Sequence, residues 1–381
     1  MNSRERVIMA LNHKEPDQIP FDLASTPVSG ISSVAYNNLL EYRGIKEDNT
    51  LFDIVQQIIN PSEAFLLENG VDTRAVRANS GRDYKMVHGE DGEYKFFHDE
   101  WGIKWRMPKS GGFYYDMASH PLEDAVTEAD VNAYEKFIDI TDDTRFAGMK
   151  EKAEQIYDAG YAVIVNSPSA GMFELLTWLM GYESSLTNLA LEEGAATRLL
   201  DKMLEVKMAY WSRVLDEFGD KVTVCQEADD LGTQISLLIS PSMYREYVKP
   251  RHKELFDMIH RKSNAKVFIH SCGSIREILP DFIQSGIDII NPVQFNATNM
   301  DAAELKREFG SDLVFWGGGV DTQYALPKGT PQDVEDNVKR MMDILRKDGG
   351  FVFNSVHNIQ ADVPPANLDA YFRTFHKYKK Y

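Results

Sequence analysis

Short apolar runs rich in β-branched and aromatic residues recur along the chain: Gln18–Leu23, Val71–Val76, Ala162–Asn166, Val222–Glu227, Lys266–Ile269, Ile287–Ile290, Leu313–Trp316 and Phe351–Asn354. Most lack the strict alternation of a strand with one wet face, which predicts strands buried on both sides, as in a parallel sheet. Helical patterns fill most of the intervals. Two of them, Pro241 to Lys262 and Pro331 to Lys347, open on Ser or Thr followed by Pro. That pairing starts helices because proline's fixed φ suits the first turn. Strand and helix in alternation predict helical crossovers, and eight strands is the number that closes a (β/α)8 barrel. A doubly wound open sheet is the competing arrangement. One stretch is different: from about Gly81 to His120 the chain is rich in aromatic, Gly and charged residues, including Tyr94, Phe96, Phe97, Trp101, Trp105, Phe113, Tyr114 and Tyr115. It predicts a β-hairpin excursion from the barrel, and a single barrel domain then accounts for residues 1–381.

Composition narrows the functional classes. The chain is 43% hydrophobic with a mean hydropathy of -0.37, which suits a water-soluble protein with a sizeable core. It has no uninterrupted apolar run of membrane-spanning length, and the charged start Met-Asn-Ser-Arg-Glu-Arg does not resemble a signal peptide. Its only cysteines, Cys225 and Cys272, cannot make a disulfide framework, so a cytoplasmic location is expected. Against 41 Lys and Arg stand 59 Asp and Glu, a formal charge of -18 that repels phosphate backbones and makes nucleic acid an unfavourable partner.

In a barrel the chemistry gathers at the C-terminal ends of the strands. Those ends are polar here: Asn166, then Glu227, Asp229 and Asp230, then His270 and Cys272, then Gln294, Asp321, and finally Asn354 and His357. The segment Lys266-Val-Phe-Ile-His-Ser-Cys-Gly-Ser274 carries most information. Residues two apart on a strand point the same way, so His270 and Cys272 project together if the strand still sets the geometry at its tip. An imidazole beside a thiolate makes a good pair of zinc ligands; the bland reading is a buried cysteine and a capping histidine. Asp229 or Asp230 has a similar double reading, as an active carboxylate or a helix cap. The run Gly317–Gly319 lacks dinucleotide-fold spacing and reads as a tight turn that lets a ligand approach.

Several motifs resemble the uroporphyrinogen decarboxylase superfamily. They are Asn2-Ser-Arg-Glu-Arg-Val-Ile-Met-Ala-Leu-Asn-His-Lys-Glu-Pro-Asp-Gln-Ile-Pro20, Asp229-Asp-Leu-Gly-Thr-Gln234, Phe268-Ile-His-Ser-Cys-Gly273, Trp316-Gly-Gly-Gly-Val-Asp321 and His357-Asn-Ile-Gln-Ala-Asp-Val-Pro-Pro-Ala-Asn367. The resemblance implies a (β/α)8 TIM barrel and two branches of chemistry: decarboxylases of the tetrapyrrole pathway, and zinc-dependent methyltransferases that work with corrinoid proteins. Decarboxylases place an Arg-rich segment after the N-terminal motif, but here Asp22–Ser33 contains no basic residue. An octa-anionic porphyrinogen would find little to neutralise it in so acidic a chain. His-x-Cys at the strand tip resembles the zinc site of the methyltransferase branch. Thiol methyltransferases add a second cysteine where this chain has His357, and that departure favours demethylation of a small substrate, such as a methoxylated aromatic, over methylation of a thiol.

The resemblance therefore implies Zn2+ held by Glu227, His270 and Cys272, with His357 as a fourth ligand or a substrate contact. It implies Asp229, Asp230 and His357 as catalytic groups and Asn166, Gln294, Asp321 and Asn354 as substrate contacts. A corrinoid protein is the implied partner, with a small-molecule methyl donor or acceptor. Membranes have no part in that scheme, and family members are often homodimers. The aromatic insert either walls the substrate pocket or forms a small core of its own.

Overall fold

A computed structural model describes residues Met1–Tyr381. Seven parallel strands form one curled sheet: β1 (Thr73–Val76), β2 (Ala162–Asn166), β3 (Val224–Ala228), β4 (Lys266–His270), β5 (Ile289–Asn291), β6 (Val314–Trp316) and β7 (Phe351–Val352), paired in chain order. The expected first strand, Gln18–Leu23, shrinks to a single parallel bridge, Phe21 to Phe353. It still closes the barrel. Asp22 N donates to Phe353 O at 2.9 Å and Phe353 N to Pro20 O at 2.8 Å on one side, and Asp72 N donates to Phe21 O at 2.8 Å on the other. Pro20 has no N–H to lengthen that ladder, so the eighth stave stays short.

Strand parity divides the core in two. Ala162, Ile164, Val224, Phe268, Ile289, Val314, Trp316 and Val352 point inward and pack with Val7, Ala10 and Leu11 of the helix Ser3–Leu11, which plugs the barrel floor. The alternate residues, among them Val163, Val165, Cys225, Val267, Ile269 and Phe315, face the outer helices within a cluster of 91 buried side chains. Cys225 is fully buried in this outer layer, and burial first, then Glu227 and Asp288, pushes its thiol well above its ordinary value.

The main outer helices are α1 (Met172–Met180), α2 (Gly194–Phe218), α3 (Lys249–Lys262), α4 (Pro331–Leu345) and α5 (Pro365–Tyr378). Both Ser/Thr-Pro starts form: Ser240 Oγ accepts from Met243 N at 3.2 Å, and Thr330 makes a capping box with Asp333. The segment expected as one helix from Pro241 is broken by a π-helical turn over Tyr244–Val248. Pro250 explains it. Its ring clashes with the carbonyl of residue 246 in an ordinary α-turn, and the wider turn relieves the clash.

The excursion is a four-stranded antiparallel sheet of His88–Asp91, Tyr94–His98, Lys104–Pro108 and Asp116–Met117. Its buried aromatics join the main core, where Phe97 meets Tyr115 edge-on at 5.0 Å and Trp105 meets Trp178 of α1 at 5.2 Å, while Phe113 and Tyr114 stay exposed. No helix of the structure is long and apolar enough to cross a membrane.

Candidate metal centre

Inward parity at the strand tips produces a polar layer above the apolar barrel floor. Asn166, Gln226, His270, Asn291 and Asn354 are all buried and follow the inward-facing Ile164, Val224, Phe268, Ile289 and Val352 by two residues. His270 and Cys272 do project together, with Nε2 and Sγ 3.2 Å apart. His357, on the loop after β7, completes a trio whose ligand atoms lie within 4.8 Å of one another. The His270 and His357 ring centres are 5.3 Å apart.

These residues fit a zinc ion on two grounds. A tetrahedral site with ordinary Zn–N and Zn–S bonds sets N and S about 3.6 Å apart, close to the spacing seen. The tautomer is also fixed. Asn291 Nδ2 donates to Trp316 O at 2.8 Å, so its Oδ1 must accept, and His270 Nδ1 donates to it at 2.5 Å. The proton thus sits on Nδ1, and the Nε2 lone pair is free for a metal. His357 is held neutral, its pKa driven down to about 3 by burial and then by His270, which leaves an uncharged ring able to coordinate. The Cys272 thiol is pushed well up, by burial and then by Asp230 and Glu174. A dication at the trio would offset that field and favour the thiolate.

Glu227 does not belong to this trio. It shares outward parity with Cys225, two residues earlier, and its carboxylate lies in the layer between the sheet and α2. There Oε2 accepts from Lys207 Nζ at 2.6 Å and Oε1 from Trp211 Nε1 at 2.6 Å. Both its oxygens are occupied, so of the expected Glu227, His270 and Cys272 the structure brings together only His270 and Cys272, joined by His357.

The two aspartates divide their roles. Asp229 is fully buried and caps α1: Oδ1 accepts from Glu174 N at 2.8 Å and Oδ2 from Phe173 N at 3.2 Å, while His252 Nε2 lies 2.9 Å from Oδ2. It caps the helix after β2, not the segment that follows it in sequence. Asp230 faces the mouth with its side chain 35% exposed, accepts from Cys272 N at 2.7 Å and lies 3.8 Å from His270 Nε2.

Of the expected substrate contacts, Gln294 is turned to Gly273 N, which donates to its Oε1 at 2.7 Å. Asp321 stands apart as a turn cap, accepting from Gln323 N at 2.7 Å and Tyr324 N at 3.2 Å. Asn166 donates to Ser25 O at 3.0 Å, and Asn354 to Asp22 O at 2.9 Å and Ser29 O at 3.3 Å, so both tie down the loop after the first stave. The Oδ1 atoms of both asparagines are buried without a protein partner.

Sequence reasoning missed Glu174. It lies in the first turn of α1, half-buried, with Oε2 accepting from Gly171 N at 3.2 Å. Burial first, then the Asp230 and Asp229 charges, push its carboxyl up to about 8. A signal was present in Gly171-Met-Phe-Glu174, which has an acidic residue at the third position of a helix. Nothing in the sequence says that this turn sits across from Cys272.

Comparison with known proteins gives a consistent family. The model of the uroporphyrinogen decarboxylase (URO-D) family matches residues 110–378. A methylated-thiol–coenzyme M methyltransferase of Methanosarcina mazei is 30% identical over 138 residues, 36% of this chain and 34% of that protein. The methylcobamide:CoM methyltransferase MtbA of the same organism is 25% identical over 205 residues, 53% of this chain and 56% of that protein. A uroporphyrinogen decarboxylase of Pelobacter propionicus is 27% identical over 131 residues, 34% of this chain and 36% of that protein. The chain thus spans between about a third and just over half of the length of these relatives. A solved methyltransferase from Methanosarcina mazei shares the fold over 99% of both chains, with a TM-score of 0.62 and 15% identity. With more than half of its length matched by that family model and the same barrel from end to end, the chain belongs to the uroporphyrinogen decarboxylase family.

Proposed function

We propose that the chain is a methyltransferase that moves a methyl group between a small methylated substrate and the cobalt of a corrinoid carried by a partner protein. One zinc ion, held by His270, Cys272 and His357, is part of that reading. The observation that carries it is the trio itself, at the mouth of the barrel with the His270 lone pair already aimed inward by Asn291. Zinc bound there would supply Lewis acidity to the heteroatom that bears the methyl group. The residues of the chain do the rest. Asn291 fixes the His270 tautomer, Asp230 holds the Cys272 backbone, and Asn166 and Asn354 fasten the loop after the first stave.

The substrate that suits this site is an O-methylated one, such as a methoxylated aromatic. His357 replaces the second thiolate of a thiol-methylating site, and two carboxyl groups, Glu174 and Asp230, stand where an oxygen leaving group can find a proton. The Asp230 and Asp229 charges that face Glu174 oppose the decarboxylase reading, because a polycarboxylate substrate would be repelled by them. Reduced cobalt and unpaired cysteines fit a cytoplasmic setting.

The test is metal analysis of protein purified without a metal-affinity tag, beside Cys272→Ser, followed by methyl transfer from aryl methyl ethers to reduced cobalamin. Close to one zinc per chain, lost in the variant together with methyl transfer, is expected. Metal-free wild-type protein after zinc supplementation would end the zinc reading.

A further inference from the structure

We propose that Glu174 is a further catalytic residue of this reaction, the acid that protonates the substrate oxygen as the methyl group leaves, with Asp229 and His252 as its positioning residues. This rests on the methyltransferase reading above.

Three separate devices fix the turn that carries Glu174. Its backbone N–H and that of Phe173 are capped by the buried Asp229 carboxylate. Its own Oε2 reaches back to Gly171 N, which leaves Oε1 without a protein partner. Gly171 also lets the helix start lie against β3: a Cβ there would meet Ala228 O at 2.2 Å and Asp229 Oδ1 at 2.3 Å. Behind Asp229 stands a second layer. His252 Nε2 holds Asp229 Oδ2 at 2.9 Å, and Tyr244 OH lies 3.2 Å from His252 Nδ1, with all three residues buried.

The π-helical turn serves this chain of contacts. Eight residues of plain α-helix would leave Tyr244 and His252 about 80° apart around the axis. One extra residue in a wide turn removes about one 100° step and brings both to the same face. This fixation holds a half-buried carboxyl group within electrostatic reach of Asp230 and Cys272. In metal-free protein burial first, then the Asp230 and Asp229 charges, push the Glu174 carboxyl up to about 8.

The step balances. The cobalt(I) of the corrinoid contributes two electrons to the new bond to the methyl carbon. The C–O bonding pair stays on oxygen, and the proton of Glu174 follows it. An alcohol or phenol leaves, and the Glu174 carboxylate regains its proton from water. General acids of this kind contribute about 100-fold to 10,000-fold.

The experiment compares wild type, Glu174→Gln, His252→Ala and His252→Gln on two ethers, anisole and 4-nitroanisole, with reduced cobalamin as acceptor. The phenolate of the first is a poor leaving group, and that of the second leaves without a proton. Glu174→Gln is expected to lose about 100-fold or more on anisole and less than about tenfold on 4-nitroanisole, with zinc content unchanged. His252→Ala should show the same bias to a smaller degree, and His252→Gln, which can still donate to Asp229, should recover most of it. Equal losses on both ethers, no loss, or loss of zinc in Glu174→Gln would overturn the assignment. Wild type that transfers from neither ether would instead overturn the methyltransferase reading, and the role of Glu174 with it.

Discussion

Replacing Glu227 with Gln separates a structural ion pair from a metal ligand. Glu227 and Lys207 are 2% and 1% exposed, and their charged atoms meet at 2.6 Å. After the substitution the Lys207 ammonium keeps only Ser167 Oγ, at 2.8 Å, and faces an amide that presents either a weaker oxygen or a donor of its own. Breaking one side of a buried pair costs about 3–5 kcal/mol, because the remaining charge stays buried without compensation. Folded proteins of this kind hold about 5–15 kcal/mol in total, so the loss removes a large share of the margin. Urea denaturation followed by circular dichroism should show a clearly lower midpoint, while zinc per folded chain stays at the wild-type level. The double variant Lys207→Met with Glu227→Leu removes both charges and should recover most of the loss, since apolar replacements of buried pairs are often neutral or better. An unchanged midpoint in Glu227→Gln would refute the ion-pair reasoning. Loss of zinc from a protein of unchanged stability would return Glu227 to the metal.

Three further outcomes follow from the same geometry. Gly171→Ala puts a methyl group into the backbone of β3 and should destabilise by about 1–3 kcal/mol, the usual cost of overpacking, read as a lowered urea midpoint. His357→Ala should weaken zinc binding without unfolding the barrel, read by competition with a chromogenic chelator; unaltered affinity would remove His357 from the ligand set. In metal-free protein the Glu174 carboxyl keeps its proton up to about 8, against an ordinary value of 4.5. Between those two values the unfolded chain has released a proton that the folded chain retains, so stability falls as pH rises through that window. Glu174→Gln should flatten that part of the midpoint-against-pH curve, and a slope identical to wild type would show that Glu174 does not titrate there.

Much of this was legible in the chain. The apolar runs and Ser/Thr-Pro starts mark the β-strands and helix openings because burial, capping and proline geometry act locally. His270 and Cys272 were legible as a pair because a two-residue period carries two side chains to the same side of a strand. The aromatic insert was visible as a hairpin excursion, and the family was visible in motifs spread over the whole chain. Glu227 misled because a carboxylate at a strand tip looks available until its parity is known. Its companion Cys225, an apolar wall residue two positions earlier, carried the hint that both face outward.

Sequence alone determined the alternation of strand and helix, since burial, capping and proline geometry act between neighbouring residues, and its family motifs implied the barrel. It also determined that an imidazole and a thiol meet at the tip of β4. Only the tertiary structure decided which groups join them. His357 comes from the far end of the chain, and Glu174 crosses from α1 because Asp229, 55 positions later in sequence, caps its helix. Those meetings depend on barrel closure and on a buried Asp229–His252 pair, contacts between segments that no local pattern records.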